Sequence, residues 1–147
     1  MNLTQWADNC WLRSHSPSAE EIANLLVIVN RDLKDADGGI SSDWRFGIAY
    51  NAALKLCSIL LYASSYQAER NLQHYRTIQA LPLILGDRYK SDADYLEMCR
   101  KNRNKAEDDS VGVVSEQDAE ELIEFVNTLL DDVLHWLKTH HPELLEH

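Results

Sequence analysis

Glycine and proline are scarce in this chain, five and three among 147 residues. So few backbone breakers leave room for long helices, and apolar residues recur at helical spacing almost throughout. Cysteine is scarce too: Cys10, Cys57 and Cys99 form an odd set with no C-x-x-C pair. They read as reduced packing residues of a cytoplasmic protein. Positive charge is in the minority, with 14 Lys and Arg against 24 Asp and Glu and a net charge of -10. That balance disfavours indiscriminate binding to long nucleic acid, which phosphate neutralisation drives. No apolar run approaches the roughly 20 residues of a membrane span. Residues 1–13 carry no basic leader ahead of an apolar core, so no secretory signal is expected. A Gly-rich phosphate loop, a G-x-S-x-G elbow and zinc-finger spacing are all missing.

The pattern that remains predicts six helical segments and no strand, in one domain over 1–144. Leu145-Glu146-His147 reads as the start of a truncated affinity tag. The first segment, about Leu3 to His15, carries Leu3, Trp6, Cys10 and Trp11. The second begins at the capping box Ser18-Ala-Glu-Glu21 and stops at Gly38-Gly39. The third, about Ser42 to Ser64, is the most apolar and is expected at the centre. Its Asn51, Lys55, Ser58 and Tyr62 share a narrow polar face with Trp44 above them. Such a stripe is either a solvent strip or a cleft wall. The fourth covers about Ala68 to Leu85, with Pro82 kinking or ending it. The fifth starts at Ser91 and fades at Asp109-Ser110.

The sixth segment starts at a second cap, Ser115-Glu-Gln-Asp118, and runs to about His140, before Pro142 ends the fold. It carries two apolar stripes, one through Leu122, Val126, Leu129 and Val133 and another through Ile123, Leu130, Leu134 and Leu137. One stripe can close a bundle; the second implies deep burial or a partner helix, hence a homodimer.

Chemistry concentrates in Arg100-Lys101-Asn102-Arg103-Asn104-Lys105 of the fifth segment. At about 100° per residue, Leu96, Cys99 and Ala106 define an apolar face. Arg103 falls inside its edge and Arg100 just outside, while Lys101 and Lys105 point away. An arginine at a core boundary needs a partner, because burying a lone charge costs several kcal/mol. One partner is an internal acid, with Glu107, Asp43 and Asp32 the candidates. The other is a bound phosphate, gripped by guanidinium groups, with Asn104 hydrogen bonding beside them.

Arg103-Asn104 late in a long helix resembles the signature of HEPN domains. Similar in style are Ser42-Asp43-Trp44-Arg45-Phe46 leading to Ala49-Tyr50-Asn51-Ala52-Ala53-Leu54, and Gln73-His74-Tyr75 with Thr77-Ile78-Gln79-Ala80-Leu81. The ending Trp136-Leu137 to His141-Pro142-Glu143-Leu144 adds to the likeness, which spans roughly residues 20 to 144. The resemblance implies an all-α, up-and-down bundle of five to six helices, usually dimeric and linked to nucleotide or RNA binding. Many members are RNases, and several are toxins paired with a nucleotidyltransferase-type partner protein.

The nuclease members have a histidine separated from the motif arginine by four to six residues. Here Asp108, Asp109 and Ser110 fill that window. Histidine suits acid–base work at neutral pH, and an exposed aspartate does not. Binding is therefore expected ahead of cleavage. The ligand-binding candidates are Arg100, Arg103, Asn104, Asn51 and Lys55; cleavage would have to use Arg103, Asp108 or His74. His74 enters through Arg70-Asn71-Leu72-Gln73-His74, which puts Arg70 and His74 one turn apart on the preceding segment. Asp131 and His135 have a two-ligand spacing, but the Glu-x-x-His pairs of a four-helix metal site are lacking, so no metal and no cofactor is expected. Trp6, Trp11, Trp44 and Trp136 read as core or interface anchors, with Trp44 also placed to stack on a base.

Overall fold

The computed structural model describes residues 1–108 and 114–146, with side chains described up to Asn104 and again from Val114. The chain is an all-α bundle: α1 (Leu3–Asp8), α2 (Ala19–Ala36), α3 (Ser42–Ala63), α4 (Gln73–Gln79), α5 (Leu81–Leu85), α6 (Lys90–Asp108) and α7 (Glu116–His140). Two short strands, β1 (Leu12–Ser14) and β2 (Tyr66–Ala68), pair antiparallel with Leu12 opposite Ala68 and Ser14 opposite Tyr66.

The central position expected for the third segment holds. Helix α3 packs on α2, α7, α6 and α4. Its Ala49, Ala52, Ala53, Leu56, Ile59 and Leu60 are fully buried. Small residues at 49, 52 and 53 let neighbouring helices approach closely, and the larger ones fill the remaining space. By length and composition α3 falls within the range of a membrane-spanning helix, contrary to the sequence reading. Most of it is buried inside the bundle, which accounts for its apolar character.

Caps mark the helix starts. Ser18 accepts from the Glu21 N–H at 3.1 Å, yet the Glu21 carboxylate does not close the expected box; it turns to His15 Nε2, 2.7 Å away. Ser115 and Asp118 do form a full capping box, with bonds of 3.0 and 3.1 Å. Arg45 joins three helices, since its Nε donates to the Ala36 carbonyl at 2.8 Å and its Nη1 pairs with Glu116. Ser42 Oγ donates to the same carboxylate at 2.6 Å. The last four C=O groups of α2 lack helical partners, and Arg45 satisfies one of them.

Four sequence expectations need correction. The first segment is not helical to His15: α1 ends at Asp8, Cys10 takes φ 63, and the chain continues as β1. The two strands lie far apart in sequence and span three residues each, so neither shows a local period. The fourth segment is broken as well. Ala68 belongs to β2, α4 begins at Gln73, and α5 follows around Pro82, which supplies no N–H. Gly86, at φ 115, ends α5 in a conformation that side chains disfavour. Finally, the fold does not stop at Pro142. A 3-10 turn over Pro142–Leu145 packs on α2 and α7, with Leu144 buried and Leu145 half-buried against the core.

A second, smaller core lies where the two-stranded sheet caps the end of α3. Trp6, Leu12, Leu61, Ala68 and Ala80 are buried there, with Trp11 and Leu83 against them. Two cysteines match the packing role: Cys57 and Cys99 are buried, and burial pushes each thiol up to about 12. Cys10 does not match it, being exposed. Trp44 is not a core anchor either, with 70% of its surface exposed.

Candidate functional site

Helices α3, α4 and α6 bring most of the candidate residues to one place. Arg103 lies at the core boundary, as the wheel angle implies, and is half-buried. Its Nη1 donates to Asn51 Oδ1 on α3 at 3.2 Å. Its Cζ lies 5.2 Å from the centre of the Tyr50 ring, within the roughly 6 Å reach of a cation–π contact. Of the polar face of α3, Asn51 thus meets α6, whereas Tyr62 packs on His15 with ring centres 4.5 Å apart and Trp44 is exposed.

Arg100 takes a partner that the sequence reading missed. Glu97, one turn earlier on α6, accepts from Arg100 Nη2 at 2.6 Å and from Nε at 3.0 Å. The pair is mostly shielded, with 29% and 14% of the two side chains exposed. The hydrogen bond to Glu97 raises the Arg100 pKa, keeping it charged. The Glu97-x-x-Arg100 spacing, one helical turn, is the signal for this pair in the sequence. Asp32, one of the candidate acids, is taken by its neighbour Arg31 at 3.1 Å.

His74 opens α4, just after Leu72, whose backbone is left-handed at φ 57. Partial burial, then Arg103, then Arg100 and Lys55 all push its pKa down. The imidazole is therefore neutral at physiological pH, with one nitrogen able to accept and the other to donate. His74 on α4 thus feels the charges of Lys55 on α3 and of both arginines on α6, and Arg100 lines the same groove. A groove of about 300 Å³ runs along this corner, lined by Arg70, His74, Tyr75 and Arg100 among others.

Tyr50 is the residue sequence reasoning passed over. It is fully buried under Arg103, and its hydroxyl has no hydrogen-bond partner among the described residues. Burial raises its pKa well above the usual phenol value, although Arg103 and Arg100 pull the other way. Its sequence signal was its place beside Asn51, on a turn of α3 that faces two arginines. Asn104 is exposed. Asp108 ends α6, but its side chain lies outside the described residues.

The other described histidines do not line this groove. His140 and His141 stack near Trp136, with ring centres 5.5 and 5.0 Å away, and His141 contacts Glu143. Among the described residues no three His, Cys, Asp or Glu side chains group as metal ligands do. The site can thus hold an anion by guanidinium and ammonium groups and present a neutral imidazole to it. Compared with known proteins, the chain matches no family model, no curated protein and no solved structure.

Proposed function

We propose that this chain is a HEPN-like, homodimeric bundle that binds a nucleotide or RNA segment at the corner of α3, α4 and α6. The observation that carries this reading is an open groove lined by Arg70, His74 and Arg100, with the charges of Arg103 and Lys55 felt at His74. Positive charge brought to one corner from three helices favours an anion there, beyond the share that Glu97 already offsets at Arg100. Guanidinium groups match phosphate oxygens in pairs, and Asn51 and Asn104 add donors and acceptors at the rim. His74, neutral beside two arginines, is the group best suited to proton transfer, so weak cleavage belongs to the same reading.

The test is a titration of the purified protein with a fluorescent oligoribonucleotide at low salt, beside Arg103→Ala. The reading expects saturable binding that weakens as salt rises and falls at least tenfold in the variant, a difference of about 1.4 kcal/mol. No binding by the folded wild type overturns it.

A second reading has its own observation. Arg100 is already held by Glu97, and Arg103 by Asn51 and the Tyr50 ring. In that case the cluster is structural and the chain is an interaction module. Equal oligonucleotide behaviour of wild type and Arg103→Ala, with a loss of stability in the variant, is its signature.

A further inference from the structure

The groove at His74 does not end at α4. Tyr75 lines it on one side and also lines a second, larger groove of about 600 Å³ on the other. The second groove is the exposed side of the small core, with Trp6, Trp11 and Pro82 in its wall. Its volume falls within the roughly 300–1,000 Å³ of small-ligand clefts. The two grooves differ in chemistry. The first is polar, with Arg70, His74 and Arg100. The second is aromatic, and Arg76 and Lys90 outnumber its acid, Asp94.

Arg76 lies over this wall, its Cζ 3.8 Å from the centre of the Trp11 ring. Trp6 and Trp11 meet edge to face with ring centres 5.7 Å apart. The Tyr75 ring, 40% exposed, stands between the two grooves with an apolar surface facing water. Aromatic rings and an arginine plane form a platform on which a flat base can stack. A cationic groove beside it follows a phosphate backbone.

We propose that the ligand of this site is a short single-stranded nucleic acid, its phosphate in the groove of His74 and Arg100 and an adjoining base beyond Tyr75 in the aromatic groove. The inference rests on the nucleotide-binding reading above and narrows it. A mononucleotide fills only one groove. A duplex keeps its bases stacked on one another and offers none to Tyr75 or Trp11. A long strand also meets the repulsion of a chain whose net charge is -10. Charge therefore favours a short segment or a strand end.

Calorimetric titrations at low salt compare AMP, a short oligoadenylate as RNA, the same sequence as DNA, and a duplex. The proteins are wild type, Tyr75→Ala, Tyr75→Phe and Arg76→Gln. The inference expects a single strand, RNA or DNA, to bind about tenfold tighter than AMP and than the duplex. Tyr75→Ala should weaken the strand about tenfold and so shrink its advantage over AMP, and Tyr75→Phe should keep wild-type affinity, because the ring face is what stacks. Arg76→Gln should weaken the strand in the same sense, which keeps the test intact if Tyr75→Ala misfolds. Equal affinity for AMP and the strand overturns this inference and leaves nucleotide binding standing. Binding of none of the four ligands overturns both.

Discussion

The guanidinium of Arg103 covers the ring of Tyr50, 5.2 Å from its centre, and the phenol beneath has no hydrogen-bond partner among the described residues. A buried hydroxyl without a partner costs about 1–3 kcal/mol. Tyr50→Phe removes that cost and keeps the ring under the cation. Its urea midpoint should be equal to or above wild type, with a gain of about 1 kcal/mol. A loss of similar size would show that the hydroxyl has a partner in solution.

The Tyr50 ring itself is a different matter. It is fully buried, as is Leu56 two turns along α3. Leu56→Ala should cost about 2–5 kcal/mol, and Tyr50→Ala about 3–5 kcal/mol, by loss of buried area and by the cavity left behind. Urea unfolding followed by circular dichroism measures both.

His74 links stability and binding to pH in opposite directions. Its folded pKa lies below the ordinary 6.5, held down by burial, Arg103, Arg100 and Lys55. The unfolded chain then takes the proton more readily than the folded one. The stability tied to neutral His74 is complete above pH 6.5 and is lost as pH falls through the lower folded value. His74→Asn should flatten that part of the stability profile. A bound phosphate reverses the local sign by favouring the imidazolium, so affinity should rise as pH falls toward and through the lowered His74 pKa. Oligonucleotide titrations from pH 7.5 to 5.5, with wild type and His74→Asn, check this. Parallel pH profiles of the two proteins would remove His74 from the site.

Glu97 competes with any anion for Arg100. Glu97→Gln keeps the shape, releases the guanidinium and removes a negative charge from the groove. Oligonucleotide affinity should rise about threefold, or about 0.7 kcal/mol. Unchanged affinity would mean that Arg100 does not reach the ligand.

Much of the bundle was legible because burial imposes a period. The apolar faces of α2, α3 and α7, the caps at Ser18 and Ser115, and the break near Pro82 follow from side-chain spacing and local backbone chemistry. The sheet was not legible, because the pairing of Leu12 with Ala68 depends on where α3 ends rather than on anything near either strand. The boundary position of Arg103 was legible for the same reason as the core: an angle on a helix. Its contact with Tyr50 was not, since a wheel gives the direction of a side chain but not what the facing helix presents. Glu21 shows a further limit. Its spacing from Ser18 suits a capping box, but a half-buried His15 takes its carboxylate instead.

Arg45 is anchored to Ala36 and Glu116, so the C-terminal end of α2 and the first turn of α7 share one tether on α3. Those three helices should open as one cooperative unit, with α3 amides the slowest to exchange. Helix α4 has seven residues and no side-chain cap, and it should open earlier and more often. The groove then has one wall that breathes, α4 with His74 and Tyr75. Access to the site would be timed by local opening of α4 on a bundle that stays folded.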